Sequence, residues 1–314
     1  MVHTHEPYTL TRVNAQNMSD LARIFKESRN IDISVQELLA KYQTGFCGDG
    51  YFGYFAYAAN GSPAAFYGIF PSFVKLGGVK VLAAQTGDVI THKDHQKRGL
   101  FILVAEKTAQ LAADSGIELL WGVPNENSSH GFLKYLRWQK TDNLRVFNIK
   151  VKGIPFYRIL QKLKLKLIYS FWLKNLKLKY KTNSADFIGP IMLEGVDSLW
   201  KDEAFNQYKR YSSSFYIKFK GLKIWLKAEG ILLIGDMENP ENQSPELVIQ
   251  TLKNLCNLFG LNSIYFEMSP NSYWHNLLEK VEKSECGGPV CFYPISESSK
   301  NFKIQLTGAD IDIF

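Results

Sequence analysis

The sequence predicts an α/β (α+β) protein made of two tandem domains, in which mixed, mostly antiparallel sheets are flanked by helices. One observation behind this prediction is that helix-forming and strand-forming segments alternate along the first 150 residues. A second is that short motifs recur in the same order in the C-terminal part, as in a duplicated chain. The third is that 46% of the 314 residues are hydrophobic, which suffices for two packed cores.

The first segments predict a helix followed by three antiparallel strands. Residues 17–42 space their apolar side chains as a helix does. Aromatic-rich runs at 51–59 and 64–74 are separated by a turn that contains Asn-Gly, which is typical of a β-hairpin. A third β-prone run covers residues 79–91.

The next segments predict helix, strand, helix and strand. A helix over 100–115 should stop at Gly116, because glycine is typical of helix ends. A short buried strand follows at 117–123, then a helix at 128–136 and a strand near 144–151.

A charged stretch, VITHKDHQKRGLF, joins the third strand to the helix after it. The free backbone N–H groups at a helix start carry partial positive charge. Gln-Lys-Arg-Gly at 96–99 would add two cations and a residue without a side chain, so that a ligand can approach the backbone. This arrangement suits a pyrophosphate, although an exposed charged turn would have the same composition.

The element order and this motif together resemble the GNAT (acetyl-CoA-dependent N-acetyltransferase) superfamily, whose signature is Gln/Arg-x-x-Gly-x-Gly/Ala. Gln96 and Gly99 match the signature, whereas Phe101 stands where the family has Gly or Ala. Leu-Arg-Trp at 136–138 takes the place of the family's Leu-Gly-Phe. The resemblance covers about residues 8–150.

The resemblance implies acetyl-CoA as the acetyl donor. The backbone of 89–91 would hydrogen-bond the pantetheine arm, and the amides of 97–101 would hold the pyrophosphate. The expected cofactor-binding residues are Val89, Ile90, Thr91, Gln96, Lys97, Arg98, Gly99, Leu100, Phe101 and Asn127.

The expected catalytic residues are Asp88, His92 and Tyr135. Acetyl transfer to an amine needs a neutral nucleophile and a proton for the departing thiolate. Asp88 is either a base or a structural carboxylate that bonds a turn, and His92 is either a proton carrier or an exposed loop residue. The family often places a tyrosine acid on the second helix, where alignment gives Phe132 or Lys134 and the nearest phenol is Tyr135.

The C-terminal part repeats the layout of the first. A strand at 231–236 ends in Gly-Asp, as does the run at 83–88, and a helix at 246–259 and a strand at 263–268 follow. The stretch MENPENQSPE replaces the basic turn, and it is acidic and lacks glycine. Only one CoA site per chain is therefore expected.

The basic residues concentrate between 150 and 181, where the chain has ten Lys or Arg and no acidic residue. Such a segment fits a solvated linker or an amphipathic helix that contacts a membrane peripherally, and we favour the linker. The predicted domains are a GNAT domain with the acetyl-CoA site over 1–150, a basic linker helix region over 151–185, and a degenerate GNAT-like domain over 186–314 that forms part of the substrate cleft.

The predicted function is acetylation of the amine of a nucleotide-linked (UDP or dTDP) amino sugar for O-antigen or other lipopolysaccharide biosynthesis. It comes from a resemblance to tandem members of bacterial surface-polysaccharide pathways, and the net charge of +7 suits an anionic substrate. The alternatives are an aminoacyltransferase of the peptidoglycan cross-bridge type and a non-catalytic membrane-surface protein.

The sequence also predicts several absences. Four scattered cysteines without a zinc-type spacing indicate a reduced protein without metal. No long apolar stretch or signal-peptide layout is present. We therefore expect a cytoplasmic protein that does not bind nucleic acid.

Overall fold

The computed structural model describes residues 8–183, 187–238, 243–312 and 314. The chain forms two compact units. The ranges of the units are Met1–Thr141 with Pro289–Lys303, and Asp142–Gly288 with Ile304–Phe314.

The first unit contains the predicted segments in the predicted order, and it begins with a further strand, β1, that was not predicted. Its elements are β1 (Thr9–Arg12), α1 (Met18–Arg29), α2 (Val35–Tyr42), β2 (Phe52–Tyr57), β3 (Pro63–Leu76), β4 (Val79–Thr91), α3 (Leu100–Asp114), β5 (Leu119–Gly122), α4 (Glu126–His130) and the start of β6 (Gln139–Lys150).

The second unit has more helices before its strands. Its elements are the remainder of β6, α5 (Phe156–Lys162), α6 (Lys166–Tyr180), α7 (Pro190–Leu193), β7 (Ser198–Leu199), α8 (Glu203–Tyr208), β8 (Phe215–Phe219), β9 (Leu222–Ala228), β10 (Leu232–Met237), α9 (Pro245–Leu258), β11 (Ser263–Met268), α10 (Tyr273–Leu278) and the start of β12 (Glu285–Pro294).

The strands of the first unit confirm the predicted mixed, mostly antiparallel class. Strands β1 to β4 are antiparallel neighbours in chain order, and β4 and β5 run parallel. The pairing of β2 with β3 confirms the predicted hairpin. Helix α3 and the aromatic-rich strands bury one apolar core on one face, and α1 and α2 bury another on the opposite face.

The predicted helical segment 17–42 divides into α1 and α2. Asn30 ends α1 in the left-handed conformation, with φ of 54°, which Asn tolerates better than most residues. Ser34 then begins α2 with a capping box to Glu37, which satisfies two backbone donors at that end.

The strands of the second unit pair in a similar pattern. Strands β8, β9 and β10 are antiparallel neighbours, and β10 and β11 run parallel. Helix α9 and strand β11 occupy the ranges that the repeated motifs predict.

In each unit, the strand that pairs with the second strand of the parallel pair comes from the other half of the sequence. The end of β12 pairs with β5, from Cys291 opposite Gly122 to Pro294 opposite Leu119. Strand β6 pairs with β11 over its second part. The compact units therefore differ from the predicted ranges 1–150, 151–185 and 186–314, because both β6 and β12 pass from one unit to the other.

Within the ranges that the structure covers, none of the helices has the length and apolar character needed to cross a bilayer.

Candidate functional site

The parallel strands β4 and β5 diverge after a short contact. Their register runs from Ala83 opposite Leu119 to Gln85 opposite Trp121. Strand β4 continues to Thr91, whereas β5 ends at Gly122. The part of β4 beyond Gln85 therefore extends past the paired segment of β5.

A β-bulge interrupts β4 within this extension. Gly68 of β3 lies opposite Gly87, but Phe66 lies opposite Ile90, so that β4 has one extra residue there. Asp88 occupies the bulge with φ of 46°, in the left-handed region that non-glycine residues seldom adopt. Bulges of this kind often re-aim a strand beside an active site.

Both carboxylate oxygens of Asp88 accept hydrogen bonds from α2. The Lys41 ammonium lies 2.9 Å from Oδ1, and the Tyr42 hydroxyl lies 3.0 Å from Oδ2. The Lys41 and Asp88 side chains are only 11% and 10% exposed. This arrangement ties the bulge to α2.

The second unit has a similar ion pair at the same point of its own parallel pair. The register of β10 shifts between Ile234 and Asp236, and the fully buried Asp236 accepts from Lys201 at 2.9 Å. Burial acts to lower the pKa of Lys201, but the carboxylates of Asp236 and Asp310 raise it above its ordinary value. A Lys–Asp pair at both positions is the pattern expected of a structural anchor.

This comparison leads to a prediction for Asp88→Asn. The variant keeps the side-chain shape but leaves a largely buried ammonium without its carboxylate, so it should lower the free energy of unfolding by about 2–3 kcal/mol. The double variant with Lys41→Met should recover most of that loss, because no unpaired charge remains. Urea denaturation measures both, and Lys26→Met, which breaks an exposed pair with Asp32, should cost less than about 1 kcal/mol.

The same variant tests the sequence-based assignment of Asp88 as general base. Because both oxygens are engaged, we expect kcat of the folded Asp88→Asn protein to remain within about tenfold of the wild type, whereas loss of a positioned base costs about a hundredfold or more. A hundredfold fall in kcat at unchanged stability would restore the base assignment.

The charged stretch after β4 forms a turn with two left-handed residues. Lys97 has φ of 62° and Gly99 has φ of 78°. Gly99 is the N-cap of α3, and no described side chain caps the helix there. A Cβ added at Gly99 would meet nothing within 4 Å. The start of α3 therefore lacks a side-chain cap and has open space beside Gly99, an arrangement that fits a pyrophosphate.

The corresponding helix of the second unit begins differently. The Ser244 hydroxyl accepts a hydrogen bond from the Leu247 amide at 3.3 Å, and Pro245 occupies the first helical turn without an amide hydrogen. Both features remove donors that an anion would need. Residues 239–242 of the predicted acidic turn lie outside the described residues.

A cavity of about 560 Å³ adjoins the turn before α3. It brings together most of the predicted site residues, namely Ile90, Thr91, Gln96, Lys97, Gly99, Leu100, Phe101 and Tyr135. The lining also includes residues that sequence reasoning did not assign to the site, namely Ser28, Arg29, His95 and Ile102.

Val89 and Asn127 were also predicted to bind the cofactor. The Val89 carbonyl already accepts a hydrogen bond from Arg29 Nη2 at 2.6 Å, which places a guanidinium of α1 beside the strand. Asn127 belongs to α4, but its side chain lies outside the described part of the structure.

Arg98 and His92 do not line the cavity. The Arg98 guanidinium donates to the Tyr8 hydroxyl at 3.1 Å. His92 is 13% exposed, and its Nε2 lies 3.8 Å from a carboxylate oxygen of Glu27. His95 lines the cavity instead, with Nδ1 3.0 Å from the Tyr8 hydroxyl.

Tyr135 is the last residue of a wider turn that follows α4. Residues Gly131–Tyr135 form a five-residue π-helical turn, in which the Leu136 amide donates to the Gly131 carbonyl at 3.2 Å. Such a turn contains one more residue than an α-helical turn, so the side chains after it change face. The tyrosine is 53% exposed.

Phe101 replaces the small residue of the motif, and Gly131 accommodates it. A Cβ at Gly131 would lie 3.1 Å from the Phe101 ring, so a larger residue there would crowd the ring. The ring also packs near Tyr67 and Phe132. The departure from the motif is therefore matched by a glycine on the facing turn.

The described residues contain no group of three or more His, Cys, Asp or Glu that could hold a metal ion.

No family model matches the sequence, and no curated protein is similar to it. Solved structures do match in three dimensions. A GCN5-related N-acetyltransferase from Kribbella flavida is 12% identical with a TM-score of 0.56, over 92% of this chain and 72% of that protein. One from Anabaena variabilis is 11% identical with a TM-score of 0.53, over 92% and 73%.

N-myristoyltransferase from Saccharomyces cerevisiae, with bound myristoyl-CoA, is also similar. It is 9% identical with a TM-score of 0.56, and the match covers 93% of this chain and 83% of that enzyme. Over nearly its whole length, this chain has a fold like that of the GCN5-related N-acetyltransferases.

Proposed function

We propose that the protein is an acyl-CoA-dependent N-acyltransferase with acetyl-CoA as its donor. The observation that carries the proposal is the uncapped start of α3, which opens on a cavity of about 560 Å³. The fold supports it, because the similar proteins include N-acetyltransferases and an enzyme with bound myristoyl-CoA.

The donor would bind along β4 and the turn that follows it. The amides of 97–101 would hold the pyrophosphate, assisted by the exposed Lys97 side chain. The backbone of Ile90 and Thr91 would hydrogen-bond the pantetheine arm, and Arg29 would add positive charge at the same cavity.

The reaction would break the thioester C–S bond and form an amide C–N bond. The amine of the acceptor loses one proton, and the departing thiolate gains one, so the reaction needs no oxidant or metal. We assign proton donation to the thiolate to the Tyr135 hydroxyl, since this phenol lines the cavity and lies at its exposed side.

Two buried donors support a position for the acceptor where β4 and β5 diverge. Gln85 Nε2 and Trp121 Nε1 have no hydrogen-bond partner in the described structure, although these residues are only 5% and 0% exposed. They lie opposite each other at the last paired position of β4 and β5, so their side chains share one face of the sheet. An unpaired buried donor is costly, and an acceptor oxygen at the point of divergence would satisfy both.

Other groups on this face also suit an oxygen-rich acceptor. Phe70 lies opposite Gln85 in the register of β3 and β4, and the Lys41 ammonium lies 4.7 Å from the centre of its ring. A sugar presents several acceptor oxygens, and a nucleotide diphosphate would match the net charge of +7. We therefore propose a nucleotide-linked amino sugar as the substrate.

Gln85→Leu separates a substrate-binding role from a structural one. Because the amide nitrogen has no partner, an apolar residue of similar size should leave the free energy of unfolding unchanged within about 1 kcal/mol. The KM for the acceptor should rise by about tenfold, while the Kd for acetyl-CoA stays constant. Unchanged acceptor KM, or a large loss of stability, would show that Gln85 serves the fold alone.

A free-thiol release assay tests the proposed function. Acetyl-CoA is supplied with a panel of amines: UDP- and dTDP-linked amino sugars, the same sugars without nucleotide, and simple alkyl amines. We expect turnover to be fastest with a nucleotide-linked sugar, and the acceptor KM to rise with salt, because added ions screen exposed contacts beyond about 8 Å.

A filter-binding experiment with aminoacyl-tRNA, run in parallel, addresses the aminoacyltransferase alternative. Tight tRNA binding without thiol release from any amine would contradict the proposal. Thiol release with simple amines only would retain the acyltransferase and exclude the nucleotide-linked acceptor.

A further inference from the structure

Helix α6 has apolar side chains on two opposite faces. Tyr169, Leu173, Leu176 and Tyr180 follow one another at helical spacing and pack against the core of the second unit. A surface helix normally has a polar face opposite such a stripe.

The face of α6 turned away from the core carries a second apolar stripe. Leu167, Phe171 and Leu178 share this face, because they are four and seven positions apart. They are 85%, 71% and 63% exposed. Ile168 and Trp172 lie further round the helix and are 50% and 43% exposed. Trp172 is nearer the core face, and its indole N–H donates to the Leu258 carbonyl at 3.4 Å. This helix therefore leaves a contiguous apolar surface uncovered by the described residues of its own chain.

The chain just before α6 adds to the exposed apolar area. Ile154 is 75% exposed, Ile159 41%, Leu163 61% and Leu165 42%. A solvated linker would expose polar residues in these positions. Large exposed apolar patches that are surrounded by polar residues are typical of interaction sites.

The charged residues of the segment that contains α6 all have the same sign. The segment 150–181 contains ten Lys or Arg and no Asp or Glu. Exposed cations include Arg158, Lys162, Lys164, Lys166 and Lys174. A partner with an apolar interior and a negatively charged surface would match this composition.

We propose that the face of α6 formed by Leu167, Phe171 and Leu178 docks on an anionic phospholipid bilayer. The helix would lie in the plane of the interface, with the apolar stripe among the acyl chains and the lysines among the lipid phosphates. Trp172, between the stripe and the core face of α6, suits the headgroup level, where aromatic rings are favoured. The proposal is independent of the acyltransferase site.

Vesicle co-sedimentation of the full chain tests the proposal. We expect binding to vesicles of phosphatidylcholine with about one third phosphatidylglycerol, and binding weaker by at least about tenfold to phosphatidylcholine alone. Binding to the anionic vesicles should also fall as salt is raised.

Two sets of variants separate lipid contact from nonspecific effects. The triple variant Leu167→Gln, Phe171→Gln, Leu178→Gln should weaken vesicle binding by at least about tenfold. Val79→Gln is the matched control, since Val79 is 62% exposed on β4 of the other unit, and it should bind as the wild type does. Trp172 fluorescence, taken as the difference from Trp172→Phe, should shift to shorter wavelength on binding.

The proposal fails if the wild type does not sediment with anionic vesicles. It also fails if the triple variant binds as well as the wild type. A third contradicting result is a dimer in solution that the triple variant abolishes, because the stripe would then be covered by a second copy of the chain. The triple variant should retain the wild-type free energy of unfolding, since its three positions are exposed.

Discussion

Gly99→Asp should weaken acetyl-CoA binding by at least about a hundredfold. Gly99 is the uncapped N-cap of α3, and a Cβ there projects into open space beside the cavity. The new carboxylate would accept hydrogen bonds from the first amides of the helix, as Asp does at other helix starts. It would thus occupy the pyrophosphate position and repel the ligand. Titration calorimetry measures the change in Kd.

Two variants isolate the effect of charge in that experiment. In Gly99→Asn, the new side chain has nearly the shape of Asp and tolerates the left-handed backbone, yet it is neutral. The Kd of this variant for acetyl-CoA should therefore lie well below that of Gly99→Asp. Gly116→Asp introduces the same carboxylate at another left-handed glycine with open space around it, at the far end of α3. Equal losses in Gly99→Asp and Gly116→Asp would place the pyrophosphate elsewhere.

Tyr135→Phe should lower kcat by about a hundredfold to a thousandfold while leaving the Kd for acetyl-CoA within about twofold. The variant removes only the hydroxyl that we assign as the proton donor to the thiolate. Because Tyr135 is 53% exposed, the free energy of unfolding should not change. Single-turnover measurement of thiol release reports the chemical step directly.

The control for this experiment is Tyr54→Phe on β2, which removes a phenol outside the cavity lining and should leave kcat unchanged. A Tyr135→Phe enzyme with normal kcat would contradict the assignment. In that case His95, the remaining titratable ring in the cavity lining, is the next residue to test.

The strand order of the first unit could be predicted because its signals are local. The Asn-Gly turn determines the β2–β3 hairpin, and Gly116 lies just beyond α3. The break between α1 and α2 was not predicted, although Ser34 and Glu37 form a capping box that the sequence displays.

The exchange of strands between the halves could not be read from sequence. Strand β6 pairs with β11, and strand β12 pairs with β5, although the partners are far apart in sequence. Alternating side chains define which face of a strand is buried, but they do not determine which strand it pairs with.

At the site, the residues contributed by the turn could be predicted and their long-range partners could not. Gln96 to Phe101 are adjacent in sequence and share one motif. Lys41 is 47 positions from Asp88 and Arg29 is 60 positions from Val89, so nothing in the sequence joins them. Tyr135 was uncertain for a different reason, since the π-helical turn shifts its face.

The central claim is that the chain has one pyrophosphate-binding site, at the start of α3. Amide hydrogen exchange with and without acetyl-CoA tests this claim most directly. The account predicts that peptides covering 96–103 become protected when acetyl-CoA is added, and that peptides covering 243–250 at the start of α9 do not change. Protection at 243–250, or no protection at 96–103 with acetyl-CoA at saturating concentration, would contradict it.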